Sequence, residues 1–203
     1  MKADERKKVI MECAKRLFSK KGYYNTQISD IIDDAKIARG TVYQYFKNKD
    51  DIFITLIKDY YANWEQTISI DMTRMDLKTI TPREYFNHRV KNTLQFLAND
   101  PELCNIVLRM GIGLSGDMES AIRRFEKKIH NLIAGDIELG IRNRHVRKDI
   151  NIDLVSNLIT GALLKTAHYF FVNKRKKKKA ADIEKMSWEI INIFSPAIFK
   201  GSD

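Results

Sequence analysis

TQISDIIDDAKIARGTVYQYFKNKDDI, residues 26–52, decides how this chain folds. Thr26 can cap a short helix over about Gln27–Ala35, in which Ile28, Ile31, Ile32 and Ala35 share one face. Asp30, Asp33 and Asp34 fall on the other side. Lys36-Ile37-Ala38 makes a three-residue turn, with Ile37 placed to plug the angle between two helices. A second short helix, about Arg39–Tyr45, sends Val42 and Phe46 inward and leaves a polar and aromatic set outside. Asn48 then caps a third helix whose first turn holds Asp50 and Asp51, favoured by the helix dipole. This is the pattern of a helix-turn-helix, in which the second helix enters the major groove of DNA, about 12 Å wide and able to admit one helix.

The exposed set has the chemistry for that task. Arg39 can bond a guanine edge or a phosphate, and Gly40 allows close approach. Thr41 offers a hydroxyl, or a methyl to thymine, and Gln44 can read adenine. Tyr43 and Tyr45 can bond phosphates or pack on thymine methyls. Thr26, Gln27, Lys47 and Lys49 flank the reading helix and complete the expected DNA-binding set; Lys49 adds its charge to a positive dipole end. A helical hairpin buried in a core is the competing reading, and the exposed polar set speaks against it.

Working outward, Val9, Ile10, Cys13, Ala14, Leu17 and Phe18 form one stripe on a first helix from about Asp4 to Lys21, closed by Gly22. On the long helix after Asn48, Ile52, Phe53, Leu56, Ile57, Tyr60, Tyr61, Trp64 and Ile68 give a wide apolar face. Thr81-Pro82-Arg83-Glu84 starts a fifth helix with cap, proline and acid in their favoured places, and Asp100-Pro101-Glu102 starts a sixth. A seventh spans about Asp117–Asn143, where Gly135 and Gly140 weaken it or permit close packing. The eighth and ninth run about 152–172 and 182–199, and Leu154, Leu158 and Ile193 are counted among their inward positions. The chain reads as all-α with nine helices.

The formal charge is +10, from 36 Lys and Arg against 26 Asp and Glu. Residues 1–50 hold 12 basic and 7 acidic residues, a net of +5, so a quarter of the chain carries half of the excess. A positive field beside a helix-turn-helix suits phosphate binding. Cys13 lies on an apolar face and reads as a packed thiol. His88, His130, His145 and His168 are scattered without metal-ligand spacing, and neither a phosphate-cradling glycine loop nor a nucleophile motif appears. No acid–base pair can be assembled, so an enzyme is not expected, nor a cofactor or metal. The N-terminus lacks a signal peptide's apolar stretch and no run approaches the ~20 apolar residues of a membrane span, so a cytoplasmic protein is expected.

Thr26, Ile31, Ala35, Ile37, Gly40-Thr41-Val42-Tyr43, Tyr45-Phe46 and Lys49-Asp50-Asp51-Ile52, in order and without gaps, resemble the signature of the TetR family of bacterial transcription regulators. Three positions depart from it. Ile32 stands where alanine is usual, Lys36 where the turn has glycine, and Ala38 where Ser or Thr caps the reading helix and often contacts DNA. The resemblance implies a nine-helix fold with a DNA-binding domain at 1–48 and an effector-binding and dimerisation domain at 49–203. It implies a homodimer joined through helices 8 and 9, about 152–172 and 182–199, on a palindromic operator. A repressor released when an effector moves helix 4 is the expected mode of action.

Tyr61, Trp64, Phe86, Phe96, Met110, Phe125 and His168 lie on the helices that would enclose an effector pocket, with ordinary core packing as the alternative for each. His88, Arg89 and Arg109 can orient a polar head group or sit in solvent. The apolar bias points to a small lipophilic effector, fatty acyl or hydrophobic and drug-like. The basic run 174–179 reads as a solvated loop, or as a contact with DNA or an acidic partner. Tyr43→Ala should abolish specific operator binding while the dimer stays intact, which gel-shift and light-scattering measurements check together.

Overall fold

The computed structural model describes residues 3–73, 80–109, 114, 116–173 and 179–200. Among them are nine α-helices: α1 (Ala3–Lys21), α2 (Ile28–Ala35), α3 (Arg39–Tyr45), α4 (Lys49–Thr73), α5 (Pro82–Asn99), α6 (Pro101–Arg109), α7 (Asp117–Arg142), α8 (Ile152–Ala167) and α9 (Ala180–Ile198). The only pairing of β type among the described residues is an isolated antiparallel bridge between Val146 and Phe199. The chain divides into two compact units: Met1–Asn63 with Pro101–Arg123, and Trp64–Asp100 with Arg124–Asp203. Helix α4 therefore contributes Lys49–Asn63 to the first unit and Trp64–Thr73 to the second, and α7 is likewise shared at Arg123–Arg124.

The first unit is built around aromatic packing. Phe18, Tyr23 and Phe53 form a triangle with ring centroids 5.2–5.7 Å apart. Ile10, Ala14, Ile31, Val42 and Ile52 are fully enclosed around it. Burial of such side chains contributes roughly 1.5–3 kcal/mol each, far more than the exposed Arg16–Asp34 and Lys21–Asp30 ion pairs that link α1 to α2. Asn105 on α6 donates to the Ser19 carbonyl at 2.9 Å, tying α6 to α1.

In the second unit α5 packs mainly on α9 and on α8. Thr81 and Glu84 form the capping box that their spacing predicts: Thr81 Oγ1 accepts from the Glu84 N–H at 3.2 Å, and Glu84 Oε2 accepts from the Thr81 N–H at 2.9 Å. Asn151 Oδ1 caps α8 through the Leu154 N–H at 3.0 Å.

Three expectations are corrected. Thr26 does not cap α2 with its side chain: its hydroxyl donates to the carbonyl of Gly22 at 2.7 Å, and Gln27 occupies the cap position. Helix 8 is not α-helical to Val172. From His168 to Asn173 it widens into a π-helix, which rotates the aromatic run so that Phe171 is buried while Tyr169 faces out. Leu154 and Leu158 are not inward but 55% exposed, and Ile193 is 73% exposed, because α8 and α9 each carry a second apolar strip besides the one that packs on α5.

The two glycines of α7 separate by their surroundings. A Cβ on Gly140 would lie 2.5 Å from Cγ2 of Val146, a buried, stiff side chain, whereas nothing lies within 4 Å of the corresponding point on Gly135. Gly140→Ala should destabilise the protein by about 1–3 kcal/mol through overpacking. Gly135→Ala should stabilise it by roughly 0.5–1 kcal/mol through helix propensity. Urea unfolding of both variants at one protein concentration measures the pair.

Candidate nucleic-acid interface and ligand chamber

The turn between α2 and α3 keeps the geometry that glycine normally supplies, with a lysine in it. Lys36 adopts φ 53°, ψ 40°, a left-handed conformation that costs an L-residue roughly 1–2 kcal/mol. The turn closes through the N–H groups of Lys36 and Ile37, which donate to Asp33 and Ile32 carbonyls at 3.3 and 3.4 Å. Ala38 starts α3 with its backbone alone: its carbonyl accepts from Thr41 at 2.9 Å and Val42 at 3.3 Å, and no side chain caps the helix. Val42 and Phe46 are buried, which fixes the rotation of α3.

That rotation leaves Arg39, Gly40, Tyr43 and Gln44 exposed on one helix, with Thr41 and Tyr45 half-buried beside them. The Arg39 guanidinium sits 5.7 Å from the Tyr43 ring, a loose cation–π contact that orients both outward. No heavy atom lies within 4 Å of a Cβ on Gly40, so the fold itself does not require glycine there. The Tyr45 hydroxyl accepts from Arg6 Nε at 3.4 Å, bringing α1 to the edge of this face. Gln27, Lys47 and the strongly exposed Tyr24 lie nearby in the sequence with free access to solvent.

Thr26 and Lys49 are placed differently from the outward positions expected of them. Thr26 is fully buried. The Lys49 ammonium turns inward and donates to the carbonyls of Tyr23 at 2.9 Å and Thr26 at 2.8 Å, lying 4.1 Å from the Tyr23 ring. Burial pulls its pKa below the usual lysine value, and the neighbouring Asp50 opposes that shift. Tyr23 in turn donates to Asp50, and Asn48 Oδ1 caps α4 through the Asp51 N–H at 2.8 Å. Lys49 thus holds the 22–26 loop onto the start of α4. Sequence spacing shows that a cation stands there but not that the carbonyls of Tyr23 and Thr26 are placed to accept from it.

In the second unit a narrow cavity of about 30 Å³, room for one or two waters, lies among α5, α7, α8 and α9. Its walls include Phe86, Val90, Ile129, Ile133, Leu163, Ile190 and Phe194. A buried ion pair borders it: Asp136 accepts from Arg89 Nε at 3.0 Å, from Arg89 Nη2 at 3.4 Å and from the Tyr85 hydroxyl at 2.8 Å. Arg89 and Asp136 are only 11% and 12% exposed, so the arginine's charge is met mainly by a buried carboxylate rather than by solvent. Of the residues expected to bind an effector, Phe86 lines this cavity. Trp64 and Phe125 form their own edge-to-face pair at 5.5 Å. Tyr61, in the first unit, donates to the Ile122 carbonyl at 3.3 Å. Phe96 and His168 are half-buried elsewhere in the second unit, and Met110 lies outside the described residues. Most of the basic run, 174–178, lies outside them too. Asp136 and Ser195 were not legible as cavity residues, since their place on its wall depends on how α5, α7, α8 and α9 pack.

No group of three or more His, Cys, Asp or Glu among the described residues could hold a metal ion, and none of the described helices is long and apolar enough to cross a membrane. The model of the family described as bacterial regulatory proteins, tetR family, matches residues 10–56. The chain is similar to the fatty acid metabolism regulator protein of Bacillus subtilis, 26% identical over 168 residues that cover 82% of this chain and 84% of the relative. A TetR-family transcriptional regulator from Syntrophomonas wolfei has the same fold, with a TM-score of 0.78, 25% identity, and coverage of 96% and 97% of the two chains. So has the transcriptional regulator FadR from Bacillus subtilis in complex with stearoyl-CoA, with a TM-score of 0.76, 23% identity, and coverage of 90% and 96%.

The inward ammonium changes what Lys49 should do. Lys49→Met should cost about 1–2 kcal/mol of stability by leaving the Thr26 carbonyl without its ammonium donor, while the Tyr23 carbonyl keeps the Thr26 N–H. It should leave the salt dependence of operator binding within less than one unit of slope, because no phosphate contact is lost. Urea unfolding and gel shifts across a salt series test the two parts.

Proposed function

The chain belongs to the TetR family of bacterial transcription regulators, and from that premise we propose that it is a homodimeric repressor released from a palindromic operator by a fatty acyl effector. It is a ligand-responsive DNA-binding regulator, not an enzyme, and the finer assignments are our reading. The observation that carries the reading is the α3 face, where Arg39, Gly40, Tyr43 and Gln44 stand exposed on a helix rotated by the burial of Val42 and Phe46. Residues 1–48 act as the reading head and 49–203 as the effector and dimer domain, in the cytoplasm. Thr41, Tyr45, Gln27 and Lys47 flank the base-reading residues as phosphate contacts.

The exposed Leu154, Leu158 and Ile193 support dimerisation through α8 and α9, since a second copy of the same face would cover them. The acyl assignment is supported by the apolar cavity and by the likeness to regulators of fatty acid metabolism. A cavity of about 30 Å³ is too small for an acyl chain, so a chain that enters must displace its walls. One wall is α7, through Ile129, Ile133 and Asp136. The same helix meets α4 through Phe125 on Trp64, and through Ile122 under Tyr61. Helix α4 starts at the Lys49 clamp of the reading head. We take α4 and α7, which each contribute residues to both units, as the carriers of the response, and the coupling is the difference in acyl affinity between the two states.

Palmitoyl-CoA at saturation should weaken operator binding by at least about tenfold, within the usual range of such couplings. Fluorescence anisotropy on an operator obtained by binding-site selection measures it. Unchanged affinity with palmitoyl-CoA and palmitate alike, together with release by a hydrophobic drug, would replace the acyl effector with a wider class.

A further inference from the structure

An open cleft of about 650 Å³ in the second unit is lined by Arg83, Arg144, His145 and Lys200, and by no acidic residue among those described. Backbone pairing brings these cations together. The Lys200 N–H donates to the His145 carbonyl at 3.3 Å and the Arg147 N–H to the Ile198 carbonyl at 3.1 Å, so the segments that carry Arg144 and Lys200 lie side by side. Arg83 enters from the first turn of α5, whose N-terminal end adds a positive dipole. It donates to the neutral Asn192 Oδ1 at 2.6 Å, and among the described residues none of the three permanent cations has an ion pair. Nearby carboxylates are turned elsewhere: Asp149 holds Arg147 at 2.6 Å, and Glu84 is folded back onto Thr81 in the capping box. Arg144 is held at φ 63°, a left-handed backbone position that favours glycine, so an arginine is kept there at a conformational cost. Three like charges gathered on one concave wall repel one another, and a multivalent anion between them relieves that repulsion.

We propose that this cleft binds a free polyphosphate anion, a di- or triphosphate, as a second ligand separate from the effector. Arg83 and Arg144 present planar guanidinium groups that take phosphate oxygens in pairs, and Lys200 adds a point charge. The Ser195 hydroxyl, buried at the cleft wall without a hydrogen-bond partner among the described residues, supplies a further donor. The bound anion ties together the start of α5 and the segments that follow α7 and α9. Ser195 and Phe199 also line the narrow cavity, so the anion bears on the wall of that cavity without entering it. The site does not depend on what the effector is, because none of its cations lines the narrow cavity. The cleft volume falls within the range of roughly 300–1,000 Å³ usual for small-molecule sites.

Calorimetry on the full-length protein at about 0.15 M salt tests this with inorganic triphosphate, ATP and unacylated coenzyme A, for the wild type and for an Arg144→Gly, Lys200→Ala double variant. Glycine suits the backbone at 144, so the variant loses charge without straining the fold, and its melting temperature without ligand should not fall. Lys200→Ala alone, which keeps the backbone bond to His145, serves in its place if the double variant melts early. Inorganic triphosphate should bind the wild type at one site per chain and raise its melting temperature, and it should bind the double variant at least about tenfold more weakly. ATP binding more tightly than inorganic triphosphate assigns the ligand to the nucleotides, and equal or weaker binding assigns it to inorganic polyphosphate; either result upholds the site. Binding of coenzyme A without binding of triphosphate or ATP overturns the proposal, since the cleft then serves only a carrier. No binding of any of the three, or binding that the folded variants keep in full, means an adventitious ion only and overturns it as well.

Discussion

The apolar stripe of α4 is the constraint on which the other parts depend. Ile52, Phe53, Leu56, Ile57, Tyr60, Tyr61, Trp64 and Ile68 are all buried along one helix. The first of them close the aromatic core around Phe18 and Tyr23; from Trp64 onward the stripe belongs to the second unit. Its rotation is fixed by burial, and its N-terminus is fixed by the Asn48 cap and the Lys49 clamp. The α3 face thus belongs to the same packed unit as the first half of α4, which fixes its orientation.

Around that element the polar groups divide by what surrounds them. Exposed pairs such as Arg16–Asp34 and Arg147–Asp149 sit in water and contribute little to stability. Arg89 and Asp136 are nearly excluded from water, and removing either would leave an uncompensated charge beside an apolar cavity. The same side-chain type can therefore sit in solvent at one place and in a buried ion pair at another. Only burial and partners distinguish them.

The departures from the family signature can now be judged in physical terms. Lys36 accepts the left-handed turn that glycine would take at less cost, so the α2–α3 angle survives. Ala38 leaves α3 without a side-chain cap, yet the backbone bonds from Thr41 and Val42 and the burial of Val42 and Phe46 hold the helix. Ile32 is half-buried and its replacement of alanine is accommodated at the rim of the core.

The sequence by itself determined the nine helical segments, the Asn48 and Thr81 caps and which side of α3 faces out, because those depend on spacing within a turn or two. The eight-residue stripe of α4, the Thr81–Glu84 box and the outward Arg39–Gln44 set all follow from periods near 3.6 and local hydrogen bonds. Tertiary structure decided what distant groups do to one another. Thr26 and Lys49 look like phosphate contacts until the 22–26 loop is seen folded against α4. Leu154 and Leu158 look inward because periodicity marks an apolar strip without saying which of two strips packs on the rest of the chain. The cavity, its Arg89–Asp136 border and the basic cleft join residues dozens of positions apart. Their meeting is set by how α5, α7, α8 and α9 pack, which no local pattern encodes.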